Sequence, residues 1–234
     1  MNIQDYIDEN FHSRAAGKKA ILTLIDFFAL SPPAHIANSQ EFGCILEGIT
    51  IARWLPWRGR YNLRTALSED RLYMVEQFAK TSPKGGAFYE CGVYTGGVTR
   101  LLLDLDLAPV VAFDTFAGIQ SSGVHDLHSD GDYDAGDENS VFEYISGASI
   151  VKGRVPESFK GRENDRISFA HLDMDIYAPT KAALEFIWPR LLPGGAIVLD
   201  DYGFWTTPGI KKAAVEFGLG RQIYLSTGQL VITK

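Results

Sequence analysis

Residues 167–201, "ISFAHLDMDIYAPTKAALEFIWPRLLPGGAIVLDD", contain the pattern from which the fold class can be predicted. Two apolar runs, "ISFAHL" and "GGAIVL", stand on either side of a longer helical segment, and we predict strands at "ISFAHLDMD" and "GAIVLDD". Strands that are apolar throughout and alternate with helices are typical of a parallel sheet covered on both faces. Each run ends in two carboxylates, Asp173 with Asp175 and Asp200 with Asp201. Carboxylates are seldom buried without a partner, so these four side chains indicate a site.

The same alternation extends along the chain from residue 86. We predict further strands at "AFYEC", "PVVAFD" and "ASIVK", and a final pair at "RQIYLS" and "QLVITK". Only about two residues join the final pair, so these strands must be antiparallel, since a parallel return needs about a dozen residues. The sequence therefore predicts an α/β fold with a Rossmann-like sheet over residues 81–234. This sheet is parallel except for one antiparallel C-terminal hairpin strand.

The N-terminal part, residues 1–80, reads as helices that form a lid. The segments with helical spacing are "KKAILTLIDFFAL", "CILEGITIARWL" and "SEDRLYMVEQFAK", the last with Ser68 as a natural N-cap. The segment "RWLPWRGRY", residues 53–61, combines aromatic rings with arginines, which suits a lid over a sugar or aromatic acceptor. Packing of the helical region or a dimer interface explains it equally well, so a homo-oligomer is left open.

Composition excludes several classes of protein. The chain has 234 residues, 46% of them hydrophobic, so we expect a globular protein with a full core. The net charge of −7 repels phosphate polymers, so nucleic acid is not expected as a partner. Two cysteines, Cys44 and Cys91, give no disulfide framework or zinc pattern. The start lacks signal-peptide features and no apolar run is long enough to cross a bilayer, so we expect a cytoplasmic protein without membrane contact.

Acidic residues follow successive predicted strands, at the sheet edge where open α/β sheets bind ligands. Besides the four aspartates above, Glu90 and Asp114 stand at such strand ends. One aspartate in this position often caps the next helix. Six carboxylates at these ends are difficult to explain by capping alone, so we interpret them as a site.

The stretch "YECGVYTGG", residues 89–97, is a strand followed by an acidic residue and a glycine turn. Its spacing is not G-x-G-x-x-G, because Tyr94 stands where the second glycine would be. Asp114 ends the next strand, where its carboxylate can accept hydrogen bonds from both hydroxyls of a ribose. The D/E-x-G-x-x-x-G arrangement resembles the first motif of class I S-adenosylmethionine-dependent methyltransferases, whose turn holds the amino-acid end of the cofactor. The candidate cofactor-binding residues are Glu90, Gly92, Tyr94, Gly96 and Asp114.

The four aspartates favour a metal ion and a base. Strand geometry places Asp173 and Asp175 about 6 to 7 Å apart on one face. An oxygen-rich cluster without cysteine or a histidine set suits Mg²⁺. We assign Asp173, Asp200 and Asp201 to the metal and Asp175 to general base catalysis, since a cation that holds a hydroxyl lowers its pKa. The alternative is a solvated acidic rim with capping roles.

Four segments together resemble the macrocin O-methyltransferase family, which methylates hydroxyls on sugars of macrolide and aminocoumarin natural products. They are "YECGVYTGG", "AFDTFAGI", "HLDMDIYAPTKAALEFIWPRLLPGGAIVLDDYG" and "GIKKAAVEF". The resemblance implies a class I fold, S-adenosylmethionine, a required Mg²⁺ and a sugar-like hydroxyl acceptor. In that family the first Asp of D-x-D and both of D-D-Y bind the metal, and the second Asp of D-x-D is the proposed base. These roles fall on Asp173, Asp200, Asp201 and Asp175.

The expected function is therefore an Mg²⁺-dependent O-methyltransferase of natural product biosynthesis. The alternatives are an NAD-dependent oxidoreductase and a non-catalytic binding protein with a degenerate site. The polar, acidic segment 118–140 is expected to be an insert near the acceptor pocket or a solvated loop, and its His125 and His128 form a weak candidate metal pair. We expect His171 to be a satisfied core histidine, and Trp205 to line the acceptor pocket or cover the sheet.

Overall fold

The computed structural model describes residues 61–234. The first two predicted helices and nearly all of the proposed lid segment lie outside the described residues, and the division of the chain at residue 80 stays a prediction. The helices are α1 (Glu69–Thr81), α2 (Gly97–Leu105), α3 (Glu138–Tyr144), α4 (Tyr177–Arg190) and α5 (Pro208–Phe217). The strands are β1 (Ala87–Cys91), β2 (Val110–Asp114), β3 (Ser149–Lys152), β4 (Ile167–Leu172), β5 (Leu191–Leu199), β6 (Arg221–Tyr224) and β7 (Leu230–Thr233).

The strands form one sheet of seven in the order β3-β2-β1-β4-β5-β7-β6. Strands β1 to β5 pair in parallel, whereas β7 is antiparallel to both β5 and β6. All seven predicted strands and the antiparallel hairpin are thus confirmed. Within residues 61–234, no helix combines the length and apolar character that a bilayer crossing requires.

Two strand boundaries differ from the prediction for local reasons. Strand β4 ends at Leu172 instead of running through Asp175. The N–H of Asp173 still donates to the carbonyl of Cys91 (2.8 Å), but Asp175 has a φ of 60° and turns the chain toward α4. Strand β5 begins at Leu191, because α4 passes directly into it and Leu191 already pairs with Ile167.

Neighbouring residues of the central strands pack on opposite faces of the sheet. On one face Tyr89 packs in a cluster with Leu184 of α4. On the other face Phe88 packs with Leu72 of α1 and with α2. Each such buried apolar side chain contributes about 1.5–3 kcal/mol relative to exposure. Both faces need apolar residues, which explains why the strands read as apolar throughout.

Helix α1 connects this core to the carboxyl edge of the sheet. It begins after Ser68, as predicted, although the Ser68 side chain makes no capping hydrogen bond. Its residues Leu72 and Val75 are buried in the core. Arg71, next to Leu72, instead reaches Asp200 and Asp201 at the end of β5. The packing of α1 therefore fixes where a positive charge stands beside the predicted site.

Candidate active site

A cavity of about 470 Å³ lies at the carboxyl ends of β1, β2, β4 and β5. Its volume is within the range of about 300–1,000 Å³ that is usual for small-molecule sites. Among the nine predicted site residues, all but Gly96 line this central cavity. The position agrees with the rule that open α/β sheets bind ligands beyond the carboxyl ends of their strands.

The glycine turn, residues 92–97, forms one wall of the central cavity. Gly92 has a φ of 90°, and a Cβ atom at this position would lie 1.8 Å from the carbonyl oxygen of Asp173. Only glycine therefore fits where the turn crosses the end of β4. Gly96 caps α2 with the same φ and packs against Ile145. Its role is in packing, which explains its absence from the cavity wall.

Asp114 at the end of β2 holds the glycine turn in place. Its Oδ2 accepts hydrogen bonds from the backbone N–H groups of Val93 (2.5 Å) and Tyr94 (2.9 Å). Its Oδ1 accepts a third from Phe116 (2.7 Å). A carboxylate has about four lone-pair sites, so one site remains for a ligand hydroxyl. The predicted contact of Asp114 with a ribose stays a prediction.

Glu90 is a buried carboxylate, 1% exposed, at the end of β1. The hydroxyl of Thr99 donates a hydrogen bond to it. Burial, with the charges of Asp173 and Asp114, raises the pKa of Glu90 well above its usual value. A cationic ligand group beside this buried carboxylate would stabilise its ionised form, and the ammonium of an amino acid would supply such a group.

Three carboxylates in the wall of the central cavity lie close together. Asp173, Asp175 and Asp201 each offer an oxygen atom, and these atoms lie within 4.8 Å of one another. We call these three residues the acidic cluster. Burial is the main cause that raises the pKa of both Asp173 and Asp175, and the neighbouring carboxylates raise them further. A set of hard oxygen donors with unbalanced negative charge fits a divalent cation such as Mg²⁺.

Asp200 directly precedes Asp201 of the acidic cluster and is fully buried. Its Oδ1 accepts hydrogen bonds from Nε of Arg71 (3.2 Å) and from Nε2 of Gln229 (2.8 Å). Its backbone N–H donates to the carbonyl of Leu172 (2.9 Å), so Asp200 still follows the direction of β5. Among the predicted metal ligands, Asp173 and Asp201 thus meet in the cluster with the predicted base, whereas Asp200 is held by Arg71 and Gln229.

Sequence reasoning missed Arg71 and Gln229. Arg71 is on α1 and Gln229 directly precedes β7, and no local motif marks either of them. His171 is buried as expected, but neither ring nitrogen has a hydrogen-bond partner among the described residues. Its Nε2 lies 3.7 Å from Asp200 and its Nδ1 lies 4.0 Å from Glu90. Burial lowers the pKa of His171 to about 3, and the charge of Arg71 adds to this effect.

The insert, residues 118–140, packs over the central cavity. His128 and Tyr133 line the cavity, and the Tyr133 ring meets the edge of Tyr94 with 5.8 Å between centroids. Asp126 anchors the insert, because its Oδ1 accepts a hydrogen bond from the N–H of Tyr177 at the start of α4 (2.7 Å). The His125 ring packs against Tyr177, whereas His128 packs against Tyr133, so the two histidines have separate partners. Trp205 is 68% exposed in the described structure and is not part of the cavity wall.

The chain is similar to known methyltransferases. The family described as "Methyltransferase domain" matches residues 89–202. A sugar-modifying relative from Streptomyces olivaceus, 8-demethyl-8-(2,3-dimethoxy-alpha-L-rhamnosyl)-tetracenomycin-C 4'-O-methyltransferase, is 40% identical over 53 residues. This alignment covers 23% of the chain and only 20% of the relative.

Solved structures share the fold. The O-methyltransferase NovP has a TM-score of 0.60 at 20% identity, covering 70% of this chain and 79% of that one. The calicheamicin methyltransferase CalS11 has a TM-score of 0.61 at 21% identity, covering 81% and 91%. The resemblance to sugar O-methyltransferases and the class I fold, both expected from the sequence, are confirmed. Residues 89–202 are therefore similar to a methyltransferase domain, and the described residues adopt the class I methyltransferase fold.

Proposed function

We propose that this chain transfers a methyl group from S-adenosylmethionine to a hydroxyl of a sugar-like small molecule, with Mg²⁺ or a similar cation at the acidic cluster. One observation carries the proposal: the acidic cluster and the glycine turn open into the same central cavity. The Streptomyces relative is named as a methyltransferase of a rhamnosyl compound, which supports a sugar-like acceptor. Nothing comparable supports an NAD-dependent oxidoreductase.

The cofactor would be held by the glycine turn and the strand ends beside it. When bound, S-adenosylmethionine supplies a sulfonium methyl group, and the transfer leaves a neutral thioether. Gly92 lets the backbone approach the ligand without a side chain in between. Glu90 provides a buried negative charge for the ammonium group, and Asp114 provides a free acceptor site for a ribose hydroxyl.

The cation would be held by Asp173 and Asp201, whose oxygens already converge. When bound, a divalent cation orients the acceptor hydroxyl and lowers its pKa. Asp200, which was also expected to be a ligand, adds its negative charge beside the cluster while Arg71 holds it. The residues present thus match both the charge and the donor type that such an ion requires.

Asp175 is the proposed general base. Its left-handed backbone conformation, with a φ of 60°, turns the side chain out of the strand direction and into the cavity wall. Burial and the neighbouring carboxylates raise its pKa, which makes it a stronger proton acceptor once it is ionised. During transfer the carbon–oxygen bond forms, the carbon–sulfur bond breaks, and the hydroxyl proton moves to the Asp175 carboxylate.

The proposal is tested first by binding and then by turnover. The purified full chain should bind S-adenosylmethionine and S-adenosylhomocysteine in a calorimetric titration. It should then transfer a labelled methyl group to glycosylated acceptors in a mass-shift screen, and EDTA should stop this transfer. A chain that binds neither cofactor form would overturn the proposal. Methyl transfer that continues in the presence of EDTA would show that the reaction does not need the proposed metal.

A further inference from the structure

We propose that Arg71 is the positioning residue of the acidic cluster. Its guanidinium bridges the adjacent side chains of Asp200 and Asp201 and so directs the Asp201 carboxylate toward Asp173 and Asp175. This inference rests on the proposed function, because it concerns how the cation ligands are held. It assigns a role to a residue more than a hundred positions away in the sequence.

The contacts of Arg71 are directional. Its Nε donates to Oδ1 of Asp200 at 3.2 Å, and its Nη2 donates to Oδ1 of Asp201 at 2.5 Å. Nη2 also forms an ion pair with Oδ2 of Asp200. The planar guanidinium presents its donors in a fixed fork, which suits simultaneous contact with two carboxylates. The side chain of Arg71 is only 15% exposed, so solvent screens these contacts little.

The guanidinium itself is held on several sides. Its carbon Cζ lies 5.0 Å from the centre of the Phe204 ring, in cation–π contact. Gln229, directly before β7, donates to Asp200 and also to the carbonyl oxygen of Arg71 (3.4 Å). The next residue, Leu72, is buried in the core and fixes α1. The guanidinium of Arg71 is thus held by rigid elements of the fold, which a residue that orients a site requires.

The arrangement of the two aspartates needs such a fork. Adjacent residues at a strand end project to opposite sides, and here Asp200 points inward while Asp201 joins the cluster. The three clustered carboxylates repel one another, so Asp201 would rotate away without a cationic partner. Arg71 supplies that partner and, through Asp200, a buried anchor for it.

Exchange of Arg71 for lysine separates positioning from charge. Lysine keeps the positive charge but is a single point donor on a flexible stem and cannot bridge two carboxylates in a fixed plane. If Arg71 acts only as a counter-charge, Arg71→Lys should bind a cation as the unaltered chain does. If Arg71 competes with the cation, a looser lysine should permit tighter binding. Positioning alone predicts weaker binding.

The experiment is a Mn²⁺ titration of the metal-free full chain, followed by the electron paramagnetic resonance signal of free Mn²⁺. We expect Arg71→Lys to raise the Kd for Mn²⁺ by about tenfold or more, the usual effect of losing a group that orients metal ligands. The matched control is Arg100→Lys, since Arg100 pairs with the exposed Asp104 on α2 and should leave the Kd unchanged. Affinity for S-adenosylhomocysteine should be the same in all three chains, which shows that the fold is intact.

Equal or tighter Mn²⁺ binding by Arg71→Lys would overturn the inference and leave the proposed function standing. Failure of the unaltered chain to bind Mn²⁺ would overturn the inference and remove the metal from the proposed function. If Arg71→Lys does not fold, Phe204→Leu replaces it, because this change removes the ring against the guanidinium and keeps every charge. A weaker Kd in Phe204→Leu supports the inference, and an unchanged Kd contradicts it.

Discussion

Asp175 combines a left-handed backbone conformation with a position in the wall of the central cavity. Its φ of 60° belongs to the left-handed region, which costs a residue with a Cβ about 1–2 kcal/mol. We expect Asp175→Asn to keep this conformation, because asparagine tolerates it well. The amide cannot accept the hydroxyl proton, so methyl transfer should fall by about 10²–10⁴-fold. Affinity for S-adenosylhomocysteine should not change, and turnover at the original rate would contradict the base assignment.

Gly92 occupies a position where the neighbouring backbone leaves no room for a side chain. Its Cβ position lies 1.8 Å from a carbonyl oxygen of the backbone, which cannot move without disturbing the end of β4. Gly85 has nearly the same φ, 93°, but no atom within 4 Å of its Cβ position. Gly85→Ala should therefore cost about 1–2 kcal/mol, from backbone strain alone. Gly92→Ala should cost clearly more and abolish cofactor binding, as urea unfolding and a cofactor titration will show. Equal costs for both variants would contradict this account.

At the scale of elements, a hydrogen bond from Tyr177 to Asp126 joins the insert to α4. The N-terminal N–H groups of a helix need acceptors, and Asp126 of the insert supplies one to Tyr177. Asp126→Ala should lower stability by about 1 kcal/mol, as for the loss of an N-cap. It should also make the insert more sensitive to limited proteolysis. Asp134→Ala is the control, since Asp134 bonds only within its own exposed loop in the described structure. Equal protease sensitivity in both variants would show that Asp126 does not anchor the insert.

The elements themselves were predictable because each is specified locally. Apolar runs bounded by turns define the strands, and the short turn before β7 requires the hairpin to be antiparallel. The end of β4 was not predictable, because the conformation of Asp175 comes from the turn into α4 rather than from its strand propensity. The two helices predicted before residue 61 lie outside the described part of the chain.

At the scale of the whole molecule, the sequence indicates where the site lies but not how its charges are paired. Parallel strands bring their carboxyl ends to one edge, so the meeting of Glu90, Asp114 and the aspartates follows from the order of elements. The pairing of Asp200 with Arg71 and Gln229 does not, because it joins α1, β5 and β7 through tertiary packing. Long-range partners of this kind leave no local pattern in a single sequence.

The buried charges also predict how stability depends on pH. Burial raises the pKa of Glu90, Asp173 and Asp175, so the folded chain holds protons that the unfolded chain has released. The unfolded state then binds fewer protons, and the free energy of unfolding falls as pH rises. His171 acts in the opposite direction, because its lowered pKa makes the unfolded chain bind a proton below about pH 6.5. In acid, the carboxylates and His171 change the free energy of unfolding in opposite directions. Above about pH 7, only the carboxylates make it depend on pH.

The metal-free chain should therefore become less stable between pH 7 and pH 9, which thermal unfolding at both values would measure. A loss of about 1 kcal/mol in the free energy of unfolding lowers Tm by about 2–4 °C for a chain of this size. Asp175→Asn removes one of the titrating groups and should reduce the shift. Saturating Mg²⁺ should reduce it in the unaltered chain, because a bound cation stabilises the ionised carboxylates. The contrary result would be an equal fall of Tm in the unaltered chain, in Asp175→Asn and with Mg²⁺ present. The loss of stability would then have another source, and ionisation of the acidic cluster would not be its cause.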